Sequence, residues 1–240
     1  MKVVLDIETV QAPREEWARL VGLAGSSEGD PVAWPEPADN LFAHAEADER
    51  KRGEDELYGK SSFDGTFSRI VCVGLIVFSD QMEPHGAVSW YGADEKELLR
   101  QFWARLGQIR PSLFITHNGL GFDLPFIKKR SIIHQVKPGL EINLAKFRTE
   151  PVYDTMAVWS NWDMRGWVKL DVLARALKVE SKSGSGKQVA EMWAKGQGKE
   201  IAEYCLQDTY VTYACYSRMN FREPLSSEVV LLGKELVEVR

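Results

Sequence analysis

Apolar residues recur along this chain in two periods. Lys2 to Ile7 is short, β-branched and nearly all apolar, which predicts a buried strand. Ile70 to Phe78 predicts a second buried strand, and Ala87 to Tyr91 a shorter third. From Asp94 to Ile109 the spacing changes: Leu98, Leu99, Phe102, Trp103 and Leu106 fall on one helical stripe, and Pro111 ends it. Leu113 to Thr116 predicts a fourth strand running into His117-Asn118-Gly119. Asp123 to Ile133 predicts the next helix, with Pro125 tolerated in its first turn. The last third reads as helical, over Leu170 to Val179, Gln188 to Lys195 and Lys199 to Met219. Strands followed by strand–helix units predict a mixed α/β sheet covered by helices. No internal repeat interrupts the pattern.

Residues 11 to 66 depart from it. They carry Pro13, Pro31, Pro35 and Pro37, a Gly-Ser-Ser stretch and the charge-rich run Glu46 to Glu56. This predicts a long insertion holding one or two short helices. The expected organisation is one domain over 1–240, with the insertion at about 11–66 and a tail at about 222–240. The tail's Val229-Val230-Leu231-Leu232 and Leu236-Val237 are expected to pack on the domain or against a second copy.

Lys plus Arg number 30 and Asp plus Glu 35, a net charge of -5 over 240 residues. That excludes a protein that coats nucleic acid by bulk positive charge. It leaves room for an enzyme that needs acids to hold metals. The three cysteines are far apart and form no CxxC pair, which argues against a disulfide framework or a cysteine zinc site. A reducing, cytoplasmic setting is expected. The longest apolar stretch, Ile70 to Phe78, falls far short of the about 20 residues of a membrane helix, so no membrane partner is expected.

Three groups of residues carry candidate chemistry. Asp6-Ile7-Glu8-Thr9 ends the first strand, and alternation projects Asp6 and Glu8 from one face. Two adjacent carboxylates repel unless a cation lies between them, and a divalent metal with oxygen ligands is the usual answer. His117-Asn118-Gly119-Leu120-Gly121-Phe122-Asp123 joins a strand to a helix; taken alone, Asp123 reads as a helix N-cap. Tyr204 and Asp208 are four apart in the long helix and share a face. Asp is a poor helix-interior residue, so its position calls for an explanation.

Taken in order, acid-x-acid on strand one, HN-x3-FD after a later strand and YxxxD on a late helix resemble the DEDD superfamily of 3′–5′ exonucleases, tyrosine subclass. The histidine subclass would place His five before the last Asp, where this chain has Glu203; Tyr204, four before, matches the tyrosine subclass. The middle motif is especially similar to the proofreading exonuclease domains of family-B DNA polymerases, and to the stand-alone proteins related to them. The resemblance runs from Val3 to about Met219. It includes Leu170-Asp171-Val172-Leu173-Ala174 and Ile201-Ala202-Glu203-Tyr204-Cys205.

That resemblance implies a ribonuclease-H-like fold, an α/β mixed five-stranded sheet flanked by helices. It implies hydrolysis of DNA, from single strands or frayed 3′ ends, to nucleoside 5′-monophosphates with two divalent ions, Mg2+ or Mn2+. Asp6, bridging, would hold one ion with Glu8 and Asp208 and the other with Asp123. Tyr204 would orient the attacking water. Thr9 would contact the terminal nucleotide, and Asn118 and Phe122 would line the substrate cleft, although Phe122 reads equally as core packing. The same chemistry on RNA or short oligoribonucleotides is an alternative, and a non-catalytic nucleic-acid-binding module another. Repair, end trimming and proofreading in trans all fit the activity.

Other features read as structure. Lys128-Lys129-Arg130 is expected to be an exposed helix face, with phosphate neutralisation as the alternative. Of Trp159, Trp162 and Trp167, near the predicted catalytic face, at least one is expected to fill the core; aromatic platforms for single strands are the alternative. Ser181 to Lys187 invites a phosphate-loop reading, which fails at Ser181 and Gln188. The four histidines lack zinc spacing, and His117 is expected to support the site rather than react.

Overall fold

The computed structural model of the protein describes residues 1–22, 52–59, 61, 63–180 and 187–240. The Gly/Ser loop at 181–186 and most of the segment read as an insertion lie outside the described residues. The chain divides into two compact units, Met1–Val10 with Ile70–Arg240, and Gln11–Arg69.

In the smaller unit, helix α1 (Arg14–Leu20) and helix α2 (residues 52–59) are joined by aromatic and polar contacts. Trp17 meets Tyr58 edge-on with ring centroids 5.4 Å apart, Arg14 pairs with Asp55, and the Tyr58 hydroxyl donates to the Ala12 carbonyl at 2.9 Å.

The larger unit is built on a six-stranded sheet in the order β5-β4-β1-β2-β3-β6. Its strands are β1 (Lys2–Gln11), β2 (Ser68–Phe78), β3 (Pro84–Gly92), β4 (Leu113–Thr116), β5 (Val152–Asp154) and β6 (Glu235–Val239). β2 and β3 are antiparallel, with Gly74 opposite Ser89. β1 runs parallel to β4, with Val3 opposite Phe114, and β4 parallel to β5. The sheet is mixed, as expected, but has six strands rather than five. The addition is β6, parallel to β3, with Trp90 opposite Val237. The tail thus packs on the domain as an edge strand. Gly92, at φ 151°, permits the final pairing: a Cβ there would overlap the Val239 carbonyl at 1.8 Å.

Two apolar layers flank the sheet. On one face Val3, Leu5, Ile7, Val73, Leu75 and Val77 pack with Leu98, Leu99 and Phe102 of α3 (Glu95–Ile109) and with Phe126 and Ile127 of α4 (Asp123–Ile133). On the other, Val4, Ile76, Phe78 and Ile115 pack with the long helix α8 (Gly198–Met219) through Leu206, Tyr210, Tyr213 and Ala214. Phe78 and Tyr213 stack there with centroids 4.5 Å apart. Between them in the chain lie α5 (Thr155–Trp159), a 3-10 turn (Met164–Gly166), α6 (Leu170–Ala176) and α7 (Lys187–Ala194), and after α8 comes α9 (Ser227–Val230). Among the described residues no helix is long and apolar enough to cross a membrane.

One buried carboxylate ties β2, α3 and α4 together. Asp94 caps α3 by accepting from Glu97 N–H, which places Glu95 at the first, inward position. Glu95 accepts from the Ile70 N–H (2.8 Å), from Arg130 Nε (2.8 Å) and Nη2 (2.6 Å), and lies 2.8 Å from His134 Nε2. The Lys128-Lys129-Arg130 run therefore splits: both lysines face outward, whereas Arg130 is buried as the partner of Glu95. Glu95→Ala removes the carboxylate that pairs with that buried guanidinium and is expected to cost about 3–5 kcal/mol, read as the urea midpoint. A loss of about 0.5 kcal/mol, typical of surface changes, would contradict this role.

Candidate active site

Alternation along β1 turns Val3, Leu5 and Ile7 to the α3–α4 face and Val4, Asp6 and Glu8 to the α8 face. The neighbouring strand lets α8 come close. A Cβ on Gly74 would meet Thr209 Oγ1 at 2.8 Å and Cys205 Sγ at 2.9 Å. Cys205 Sγ in turn lies 3.5 Å from the Asp6 carbonyl and 3.7 Å from its Oδ2. Donor atoms of Asp6, Glu8 and Cys205 all fall within 4.8 Å of one another. On the same helix Tyr204 and Asp208 stand one turn apart, close enough for the phenol and the carboxylate to act on each other.

Asp123 reaches the group from a third element. As the first residue of α4 it is not the cap; Phe122 holds the N-cap position without a side-chain bond. The Asp123 carboxylate is buried and accepts the Ile7 N–H at 3.2 Å, between Asp6 and Glu8 along β1. Asp6, Glu8, Asp123, Tyr204 and Asp208 are thus brought together from β1, α4 and α8.

Electrostatics follow from this crowding. Burial raises the Asp6 carboxyl well above its ordinary range, and Glu8, Asp123 and Asp208 push it the same way. Burial likewise raises Glu8, with Cys72, Asp208 and Asp123 adding to it. Asp123 is raised to about 7, chiefly by burial, against the opposing bond from Ile7. Asp208 is raised by burial, with the nearby Tyr204 hydroxyl opposing part of the rise. Tyr204 is raised by burial and by Asp208, so its phenol keeps its proton. The charged groups that act on Asp6 are acids, and such a cluster suits a divalent cation. The available donors are hard carboxylate oxygens, because burial raises the Cys205 thiol and holds it protonated.

The remaining candidates lie around this group. Thr9 follows Glu8 on β1 and is half-buried. Asn118 adopts φ 63°, and its carbonyl accepts from Gly121 N–H (3.0 Å) and Phe122 N–H (2.8 Å), which closes the turn before Asp123. Phe122 packs on the core and on Phe126, 5.4 Å between centroids, with part of its surface exposed. Trp162 packs partly on the core, while Trp159 and Trp167 are exposed.

Asp154 escaped the sequence reading. It ends β5, caps α5 through Met156 and Ala157 N–H, and also accepts from Asn118 N–H and Leu120 N–H, each at 2.9 Å. One buried carboxylate thereby fixes the turn that delivers Asp123. An extended Val-Tyr followed by Asp-Thr before a helical run was the available signal. His117 supports the same turn: Nδ1 lies 2.9 Å from Thr155 Oγ1, Nε2–H donates to the Val168 carbonyl at 3.1 Å, and burial lowers its pKa.

Residues 63–230 match a family model described as "Predicted 3'-5' exonuclease related to the exonuclease domain of PolB". The chain belongs to this family. The matched span contains Asn118, Asp123, Tyr204 and Asp208 and begins after Asp6 and Glu8. Among curated proteins, this PolB-like chain is 26% identical over 170 residues to a DNA polymerase of Pyrococcus glycovorans, covering 58% of the chain and 21% of the polymerase. It is 31% identical over 136 residues to a catalytic subunit of DNA polymerase epsilon from Saccharomyces cerevisiae, covering 52% of the chain and 6% of the yeast protein. The chain therefore spans a minor part of the length of these relatives.

The raised Asp123 pKa gives a signed prediction for the metal-free protein. Its carboxyl ionises near 4 when unfolded and at about 7 when folded. Its contribution to stability is complete below pH 4 and is lost as pH rises through about 7. In chelator, Asp123→Asn is expected to be more stable than the native chain at pH 7.5, with the difference closing towards pH 4. Urea midpoints across that range measure it; a difference independent of pH would refute the assignment.

Proposed function

We infer that this chain is a divalent-metal-dependent 3′–5′ exonuclease that removes nucleotides from single-stranded DNA or frayed 3′ ends. The observation that carries the reading is the convergence of Asp6, Glu8, Asp123 and Asp208 with Tyr204, from three elements, around buried like charges. The DNA polymerases among its relatives favour DNA over RNA as substrate.

Asp6, Glu8, Asp123 and Asp208 would hold two cations, with Asp6 shared. Bound there, divalent ions would lower the pKa of water and neutralise charge building on a leaving oxygen. The chain's own groups do the rest. Tyr204 keeps its proton, so it acts as a hydrogen-bond donor that orients, and not as a base. Its phenol lies beside the Asp208 carboxylate. Ile7 N–H holds the Asp123 carboxylate by a hydrogen bond. Asn118 and Phe122 border the turn beside these acids and Thr9 follows Glu8, a placement suited to a terminal nucleotide. Water adds to phosphorus and gives up a proton, the P–O3′ bond breaks, O3′ leaves on the shortened strand and takes up a proton, and the released nucleotide keeps its 5′-phosphate.

A time course on 5′-labelled single-stranded DNA and RNA of one sequence tests the reading. The expected result is a ladder shortening from the 3′ end, faster on DNA, supported by Mg2+ or Mn2+ and abolished by EDTA. Asp6→Ala and Asp208→Ala are expected to lose about 1,000-fold or more. Tyr204→Phe removes one orienting hydrogen bond and is expected to lose only about 10-fold. No ladder on either strand would favour a binding module, and equal losses in all three folded variants would remove the distinct role of Tyr204.

A further inference from the structure

Residues 155–168 leave β5 beside the candidate active site, fold on themselves and return. Both ends are tied to His117, through Thr155 Oγ1 and the Val168 carbonyl, and His117 precedes Asn118 in the motif that carries Asp123. Between the ties the chain makes successive turns. Trp162 N–H donates to Ala157 carbonyl at 2.8 Å and Gly166 N–H to Asp163 carbonyl at 2.9 Å. Gly166 lies against Ser160, where a Cβ would come within 3.2 Å of the serine Cβ.

This compact segment leaves large rings in solvent. Trp159 is 44% exposed and Trp167 41%. Trp162 is seated on the core and meets Phe147, which is 77% exposed, with centroids 5.4 Å apart and planes at 45°. Phe147, Asn161 and Trp162 adopt φ of 63°, 50° and 65°, a region that bulky residues avoid. Of these, the Phe147 ring faces solvent and the Trp162 ring faces the core.

Charge selects the occupant. The chain as a whole is acidic, at -5, yet the exposed Lys146, Arg148 and Lys169 neighbour these rings in the chain, against the exposed acid Glu150. Arg165 is held by Asp163 at 2.8 Å and adds no net charge. Flat apolar faces interleaved with cations suit a polyanion whose bases are unstacked and accessible. A duplex keeps those faces covered. We propose that Phe147, Trp159 and Trp167 form a ledge on which the unpaired bases of a single-stranded nucleic acid stack, while its 3′ end occupies the carboxylate site. The proposal rests on the exonuclease reading above and adds to it the feature that separates single from double strands.

The test is binding in chelator, where the strand stays uncut. Fluorescence anisotropy would use a labelled single-stranded 12-nucleotide DNA, its RNA counterpart and a blunt DNA duplex. The Phe147→Ala/Trp159→Ala variant is expected to weaken single-stranded DNA binding by about 10-fold or more, with little effect on duplex. Phe221→Ala, an exposed ring at the end of α8, is expected to change nothing. If RNA binds more tightly than DNA, and equally through the ledge, the strand is RNA. Photo-crosslinking of the native chain to a 5-iodouracil strand needs no variant and is expected to label the peptide spanning Trp159 to Trp167. An affinity within about two-fold of native in a folded variant, or crosslinks confined elsewhere, would overturn the proposal. So would a ledge that governs only self-association. Hydrolysis of p-nitrophenyl thymidine 5′-monophosphate by the native chain with Mn2+ separates the two readings. Turnover with unchanged strand affinity sinks the ledge alone; no turnover sinks the exonuclease reading on which it rests.

Discussion

Asp6 and Glu8 are acids on a face of β1 that a 22-residue helix covers, and the cost of that burial organises the rest of the site. A strand's interior is the wrong place for two like charges unless something compensates them. Here the local arrangement makes matters worse. Asp123 comes in from α4, and Asp208 from α8, and both raise Asp6 further. Around it, two apolar layers clamp the sheet, and the Glu95–Arg130 pair ties α3 to α4. Crowded like charges of this kind suit a cation between them.

Placement of the acids depends on a few close approaches. Gly74 lets α8 lie on β2, which sets Cys205 against Asp6 and carries Tyr204 and Asp208 to the same place. Asp154 and His117 brace the turn from β4 into α4 from below, so that the Asp123 carboxylate meets the Ile7 N–H. The same two residues anchor the segment that bears the exposed tryptophans. The turn before Asp123 and the segment that bears Trp159 and Trp167 thus share their anchors.

Much of this was legible in the sequence because its signals are local. Period-two alternation predicts that Asp6 and Glu8 share a face, and i, i+4 spacing that Tyr204 and Asp208 do. The limits of β4 and α4 follow from Leu113–Thr116 and Asp123–Ile133 directly. What was not legible is non-local. β5 has three residues, too few for a period, and β6 is recognisable only by its partner across Gly92. Arg130 reads as one more cation in an exposed basic run until Glu95, 35 residues away in the chain, draws it inward. Asp154 is an ordinary helix cap by sequence; its bonds to Asn118 and Leu120 exist only once β4 and β5 pair. Asp123 shows the converse, since a capping pattern in the sequence is set aside by a long-range bond to Ile7.

If the carboxylate cluster is a cation site, divalent ions stabilise the folded chain by neutralising it. Thermal unfolding at pH 7.5, in EDTA and then in excess Mn2+, tests it most directly. Ions that bind only the folded chain at 100 times their dissociation constant add about 2.7 kcal/mol, a rise of roughly 5–10 °C for a chain of this size. The account predicts that rise for the native chain and its loss in Asp6→Asn. A melting temperature unmoved by millimolar Mn2+ in the native chain would contradict it.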